Sequence, residues 1–205
     1  MKLERLKSID ASHDGFRVAA YELRWHEHPQ EADSIGRLAE LWYRQALERA
    51  PTPGDYRQGT PEARLLLAET LFDLGRWDEA RSVFDTLAAE ARPGADTTWQ
   101  SSSGDVVALG YIGVDEARRG NTGAAEAMID RLGRFRRPFL LGINVHWQAR
   151  IAGQLGQCER TVDFLELAMT LGSSAYYQQG WNGLEIAQFA NLDCPRFKQF
   201  SEEKD

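Results

Sequence analysis

His26-Glu27-His28, with Glu31 three residues further on, is the densest set of metal-type ligands in this chain of 205 residues. Its spacing works against a metal. On a helix, side chains two positions apart point to different sides, so the two imidazoles cannot easily share an ion. The zinc-protease order His-Glu-x-x-His is absent. Pro29 marks where a helix would stop, and the cluster reads as a solvated helix end. His146 stands beside Trp147, where it could serve as a pH-sensitive contact or simply pack. Cys158 immediately follows a turn, and a helix start can lower a thiol pKa. Its register with the other turns nonetheless makes it a packing position. Cys158 and Cys194 form no C-x-x-C pair. A chain of this size does not need a staple, so the expectation is two thiols in a reducing compartment. Gly104 to Gly113 lacks the Lys-Ser/Thr ending of a phosphate loop, and no Gly-x-Ser-x-Gly elbow occurs. Carboxylates are plentiful, and a pair assembled only in space stays open. The expectation is therefore a chain with no catalytic residue, no metal and no cofactor.

Composition narrows the partners. A hydrophobic content of 42% is enough for a buried core. The net charge of -7 repels a phosphate backbone. Arg134, Arg136 and Arg137 are the local exception. They lie at a predicted helix end, where cations suit the helix dipole, so no nucleic-acid partner is expected. No run of about 20 apolar residues is present to span a membrane. The amino end, MKLERLKSIDASHDGFR, lacks the apolar core of a secretion signal. A cytoplasmic location follows by default.

The elements that would position any site are helices. Apolar residues recur at helical spacing, and strand-like alternation is nearly absent. Breakers fall at regular intervals: Pro51 to Gly54, Gly75, Pro93-Gly94, Gly120, Pro138, Gly156 and Gly172. Between them the spacing predicts helices over 13–27, 33–50, 61–74, 77–92, 104–119, 122–136, 139–155 and 158–171, with one or two short helices between 175 and 200.

Aligning the chain on Gly75, Gly120 and Gly156 exposes a repeat. Eight residues before each glycine stand Leu67, Ile112 and Gln148, and seven before stand the small Ala68, Gly113 and Ala149. Five after stand the small Ala80, Ala125 and Thr161; nine after stand the large Phe84, Ile129 and Leu165. Twelve after stand Leu87, Leu132 and Ala168. Two helices of a hairpin approach closely only where the crossing residues are small. Large residues one turn on fill the space beside the crossing, and the glycine ends the first helix.

This pattern resembles the tetratricopeptide repeat. Leu65 through Ala80 is near the consensus, with Trp77 two residues after the turn glycine and Asp78-Glu79 before Ala80. The later repeats are weaker: Thr122 and Cys158 replace the aromatic, and Gln148 and Thr161 replace apolar or small residues. Ala39, Tyr43, Ala46 and Pro51 have the spacing of a second helix, but the preceding helix, with Val18, Leu23 and Trp25, lacks the turn glycine. The resemblance covers residues 15–172 and is strongest over 61–93. The repeat unit is about 34 residues, and the extra residues fall between repeats, chiefly in Gly94–Gly104 with Trp99. Asn191 to Phe197 resembles a closing motif, with Cys194 between the acid and the proline. Trp181, Leu184, Phe189, Leu192 and Phe197 are suited to cover the last repeat, whose apolar side would otherwise be open.

The resemblance implies an all-α fold. It is a right-handed superhelix of about four antiparallel helix pairs, with repeats at 13–51, 61–93, 104–138 and 139–172. A short helical cap at 175–200 closes a single domain, 1–205. The concave side is lined by the first helix of each repeat. Packing residues fix the rotation of those helices, which leaves Glu62, Leu65, Leu66, Glu69, Phe72 and Asp73; Val107, Tyr111, Val114 and Arg118; and Ile143, His146, Trp147 and Arg150. Aromatic and arginine residues dominate interface energies. The implied function is a scaffold that binds a protein or peptide, acidic at the amino-terminal end of the face and basic at the other. A sensor holding a small molecule in an internal pocket is the alternative, an enzyme or metal-binding accessory using the His26/His28 region is a less favoured third, and self-association is compatible with any of them. Whether the face is open or covered by the terminal helices, the sequence leaves undecided.

Overall fold

The computed structural model describes residues 13–48, 61–90, 104–136, 140–173, 192 and 194–202. Helices run from His13–Trp25 (α1), Pro29–Glu48 (α2), Pro61–Asp73 (α3), Trp77–Glu90 (α4), Gly104–Arg118 (α5), Thr122–Gly133 (α6), Ile143–Gln154 (α7), Cys158–Ala168 (α8) and Pro195–Glu202 (α9). A widened turn, Met169–Ser173, ends α8. Among the described residues no strand occurs, and no helix is long and apolar enough to cross a membrane. Trp99, Trp181, Leu184 and Phe189 lie outside the described residues.

Four helix pairs share one turn. The second residue after each first helix has a left-handed backbone: Gly75 and Gly120 at φ 76°, Gly156 at 73° and Glu27 at 62°. Its amide donates to the carbonyl three residues back, and the next amide reaches five back, as in Arg76 N to Leu71 O, Asn121 N to Glu116 O and Gln157 N to Ala152 O. These bonds satisfy carbonyls left open at the helix end. The first turn repeats the build without glycine, since His28 N donates to Leu23 O. An L-residue in this conformation is strained by roughly 1–2 kcal/mol, and glycine's extra freedom when unfolded takes back about 0.4–1 kcal/mol. Glu27→Gly is therefore expected to stabilise the chain by up to about 1 kcal/mol. The urea midpoint should rise with an unchanged slope; a fall would contradict the assignment of this turn.

The chain divides into two compact units, Met1–Ala80 and Arg81–Asp205. In the first, α2 packs on α1 and on α3. Its core includes Ile35, Ala39, Tyr43, Ala46, Leu67, Ala68, Leu71 and Ala80. A Cβ on Gly36 would stand 2.9 Å from Leu74 Cδ2, so glycine admits the close approach of the helix pair. Arg76 bridges Glu40 and Glu79, at 2.6 Å each. Hydrogen bonds to both carboxylates hold its guanidinium above the ordinary arginine range.

In the second unit α5 packs on α6 and α7, α7 on α6 and α8, and α8 on α9. This is the neighbour pattern of stacked hairpins, in which each first helix meets its own partner and the next first helix. The offset positions are core: Ile112, Gly113, Ala125, Ile129, Leu132, Gln148, Ala149, Thr161, Leu165 and Ala168 are all buried. Gln148, which breaks the apolar pattern, donates to Ile129 O at 2.9 Å, and Asn144 donates to Leu132 O at 3.1 Å. Both amides thus spend their buried donors on backbone carbonyls of α6. Leu192 and Phe197 pack on Ala149, Val162 and Leu165, as expected of the cap.

Four expectations are corrected. Helix α2 begins at Pro29, not 33, because proline suits the first helical position. Helix α7 begins at Ile143, not 139, after Leu141 and Gly142 take positive φ of 46° and 82°. Trp77, which shares the register that made Cys158 a packing position, is 39% exposed, so it is a partly covered surface residue. Cys158 and Cys194 are joined in a disulfide, with Cα atoms 6.2 Å apart, within the bridging range. The size argument concerns the whole chain, whereas this bond fastens an eight-residue helix to α8.

Candidate functional site

The twelve residues expected on the inner face fall in both units. In the first unit, Leu65, Phe72 and Asp73 of α3 are half-buried. Glu69 is buried in an ion pair with Arg17 of α1. Arg24 donates to Asp73 O at 3.0 Å and to Asp33 at 2.6 Å. Arg17, Ala20, Arg24, Gly36, Thr70 and Leu74 border a hollow of about 280 Å³ that is open to solvent. Its two arginines are engaged by Glu69 and by Asp33, so it offers no spare cation.

The second unit brings its residues together. Helix α5 contributes Val107, Tyr111, Val114 and Arg118, at helical spacing along one side. Helix α7 contributes Ile143, His146, Trp147 and Arg150. Phe84 lies parallel to the Tyr111 ring, 4.6 Å between centroids and 7° between planes. Tyr111 meets Trp147 at 4.5 Å, tilted by 54°. The Arg150 guanidinium carbon sits 3.7 Å from the centre of the Trp147 ring and 5.2 Å from that of Tyr111. The result is a ladder of three aromatic rings ending in a cation, a cation–π stack in a partly desolvated place.

Most of this ladder is covered. Tyr111, Val114, His146, Trp147 and Arg150 are buried, Val107 and Ile143 are half-buried, and Arg118 is exposed. Desolvation lowers the Arg118 pKa against the pull of Asp115. Asp115 is itself buried, and it accepts from Arg81 at 3.1 Å and Arg119 at 2.9 Å. Hydrogen bonds first from Asn121 and then from Arg81 hold Glu116 below the usual carboxylate range. These pairs seat the carboxy-terminal part of α4, which carries Phe84, against α5.

One residue that builds the ladder escaped the sequence reading. A Cβ on Gly110 would stand far inside van der Waals contact with Trp147 Cδ2. Glycine there lets the indole lie on the α5 backbone. Gly113, one turn on, does the same for Ile151. The small-x-x-small pair on one helix face was the available signal, and only Gly113 was read from it.

The other candidates lie apart. His26 and His28 are exposed, each nearest a different glutamate, Glu22 at 3.8 Å and Glu31 at 4.0 Å. Arg136 donates to Gly133 O at the end of α6, the helix-end role read from the sequence; Arg137 lies outside the described residues.

Residues 43–101 match the family model for the tetratricopeptide repeat. The matched stretch contains all of α3 and α4. No curated protein and no solved structure matches the chain.

Proposed function

From a chain that carries a tetratricopeptide repeat, we propose a non-catalytic scaffold that binds a protein or peptide partner. Repeats of this kind generally serve protein interaction, through the surface lined by their first helices. The observation that supports this reading best is the ladder Phe84–Tyr111–Trp147–Arg150, in which Tyr111, Trp147 and Arg150 place interface-prone residue types on two adjacent first helices, backed by Phe84 of α4. In this reading Val107, Ile143 and Arg118 form the accessible rim, and Tyr111, Val114, His146, Trp147 and Arg150 form its floor. Within the first unit, Leu65, Glu69, Phe72 and Asp73 of α3 are proposed as partner-binding residues in their own right, with Glu69 paired to Arg17. The partner is neither nucleic acid nor membrane, self-association is compatible with the reading, and the protein works in the cytoplasm as a single repeat domain.

Site-specific photo-crosslinking tests this. A crosslinker at Val107 or Arg118 should trap a discrete protein in cells, and one at the exposed Asp130 of α6 should not. Equal adducts from all three positions, or none from Val107 and Arg118, would reject the assignment of the face. The burial of the ladder favours one second reading, a sensor holding a small molecule against Tyr111 and Trp147. That reading calls for a melting shift with metabolites and no protein adduct.

A further inference from the structure

We propose that the Cys158–Cys194 bond is a redox latch, which a dithiol opens to release α9 from the α7–α8 pair. The cytoplasm proposed for this chain keeps most thiols reduced, and the disulfides that form there are usually transient or redox-sensing. The two cysteines differ in access: Cys158 is half-buried and Cys194 is buried. Both stand at helix amino ends. Cys158 is the first residue of α8, and Cys194 directly precedes α9, where its carbonyl accepts from Lys198 N. A helix amino end favours a thiolate, so both halves of the bond are placed where the reduced form is stabilised. Glu159, the acid next to Cys158 in the chain, pairs with Arg196, which offsets part of its opposing charge.

Opening proceeds by thiol–disulfide exchange. A thiolate of the dithiol attacks Cys158 Sγ, the S–S bond breaks, and its electron pair leaves on Cys194 Sγ. The second thiol of the reductant then displaces Cys158 from the mixed disulfide. The dithiol is oxidised to a disulfide, and the two cysteines take up its two electrons and two protons. Without the bond little holds the cap. A helix of eight residues is not stable alone, and the ion pairs of Arg196 with Glu159, Asp163 and Glu166 face solvent and are weak. Leu192, Phe197 and the half-buried Phe200 are its apolar anchors. The cysteines are 36 residues apart in sequence, so once the link is cut these few contacts must close a long loop. Departure of α9 uncovers Ala149, Val162 and Leu165, the apolar side that a terminal repeat otherwise hides. The packing of α7 on α5 and α6 lies outside that cluster and is expected to remain.

The full chain would be equilibrated in mixtures of reduced and oxidised dithiothreitol set to the poise of the cytosolic glutathione pool. A maleimide mass-tag reads the free thiols, and mass spectrometry follows trypsin cleavage after Lys198 in α9. The bond should open at that poise and re-form within one chain when oxidised dithiothreitol is in excess. Cleavage after Lys198 should be faster in the reduced chain by roughly tenfold or more, since it tracks the population of the open form. Near-ultraviolet circular dichroism should stay native-like. The double variant Cys158→Ser, Cys194→Ser should be cleaved at the reduced rate in every mixture. The latch is overturned if the bond survives at that poise, which marks a permanent staple. It is overturned equally if cleavage is unchanged on reduction, which leaves the cap held by packing, or if reduction abolishes the near-ultraviolet signal, which makes the bond a support of the whole fold. Crosslinking from Val107 and Arg118 does not depend on these results, so the scaffold reading and the latch can fail separately.

Discussion

Ala125→Glu unfolds the unit formed by residues 81–205, while Ala124→Glu, one residue away, leaves it folded. Ala125 has no exposed surface and lies where α6 packs against α5. A glutamate there brings a carboxylate out of water without a partner, at an effective penalty of several kcal/mol. Four extra side-chain atoms in a close-packed crossing add about 1–3 kcal/mol. Against a total stability of about 5–15 kcal/mol, that is enough to lose the fold. Ala124 is exposed and third in the helix. There an acidic side chain meets the positive end of the helix dipole and gains about 0.3–1 kcal/mol. Near-ultraviolet circular dichroism separates the outcomes. A cooperative, native-like melt of Ala125→Glu would mean that the small residue is not at a crossing, and the repeat register would fall with it.

The register was legible because hairpin packing is local. Counting from Gly75, Gly120 and Gly156 finds small residues where helices cross and large ones a turn later, with no knowledge of distant contacts. The same count fails at the amino end for two physical reasons. Glu27 takes the left-handed turn at an energetic cost that no residue-type rule signals. Helix α2 is also longer than α4, so Ala39, Tyr43 and Ala46 sit two turns further from their turn than Ala80, Phe84 and Leu87 do from theirs. Counted from Glu27, the offsets of five, nine and twelve fall on Ala32, Gly36 and Ala39, all buried, so the register reappears once that turn is placed. The disulfide was missed because a whole-chain argument was applied to a local need. That Tyr111, Trp147 and Arg150 meet across adjoining helices was readable from helix rotation. Their depth was not, since burial depends on what covers them. The role of Gly110 depends on the orientation of the indole, which only the packed structure supplies.

Trp147 and Gly110 should prove strongly coupled, and the coupling tests the foundation of the ladder. Trp147→Ala removes an indole that is nearly enclosed, and truncations of this kind cost about 3–5 kcal/mol. Tyr111 loses its neighbour at 4.5 Å, and Arg150 loses its platform at 3.7 Å, so ligand binding should disappear along with that stability. Gly110→Ala taken alone sets two effects against each other. Alanine in a helix interior gains about 1 kcal/mol over glycine. Its methyl group would overlap the indole, and overpacking costs about 1–3 kcal/mol. The net change should be destabilising. In the Trp147→Ala background the overlap is gone and only the helix gain remains, so the same Gly110→Ala substitution should stabilise. A double-mutant cycle by urea denaturation reads this directly, with an expected interaction of about 1–3 kcal/mol. Additive effects would show that the indole does not rest on the α5 backbone. Arg150 would then lack a fixed platform. A reversal of sign would establish that a single absent side chain on α5 holds Trp147, and through it Arg150, in the geometry on which the binding proposal depends.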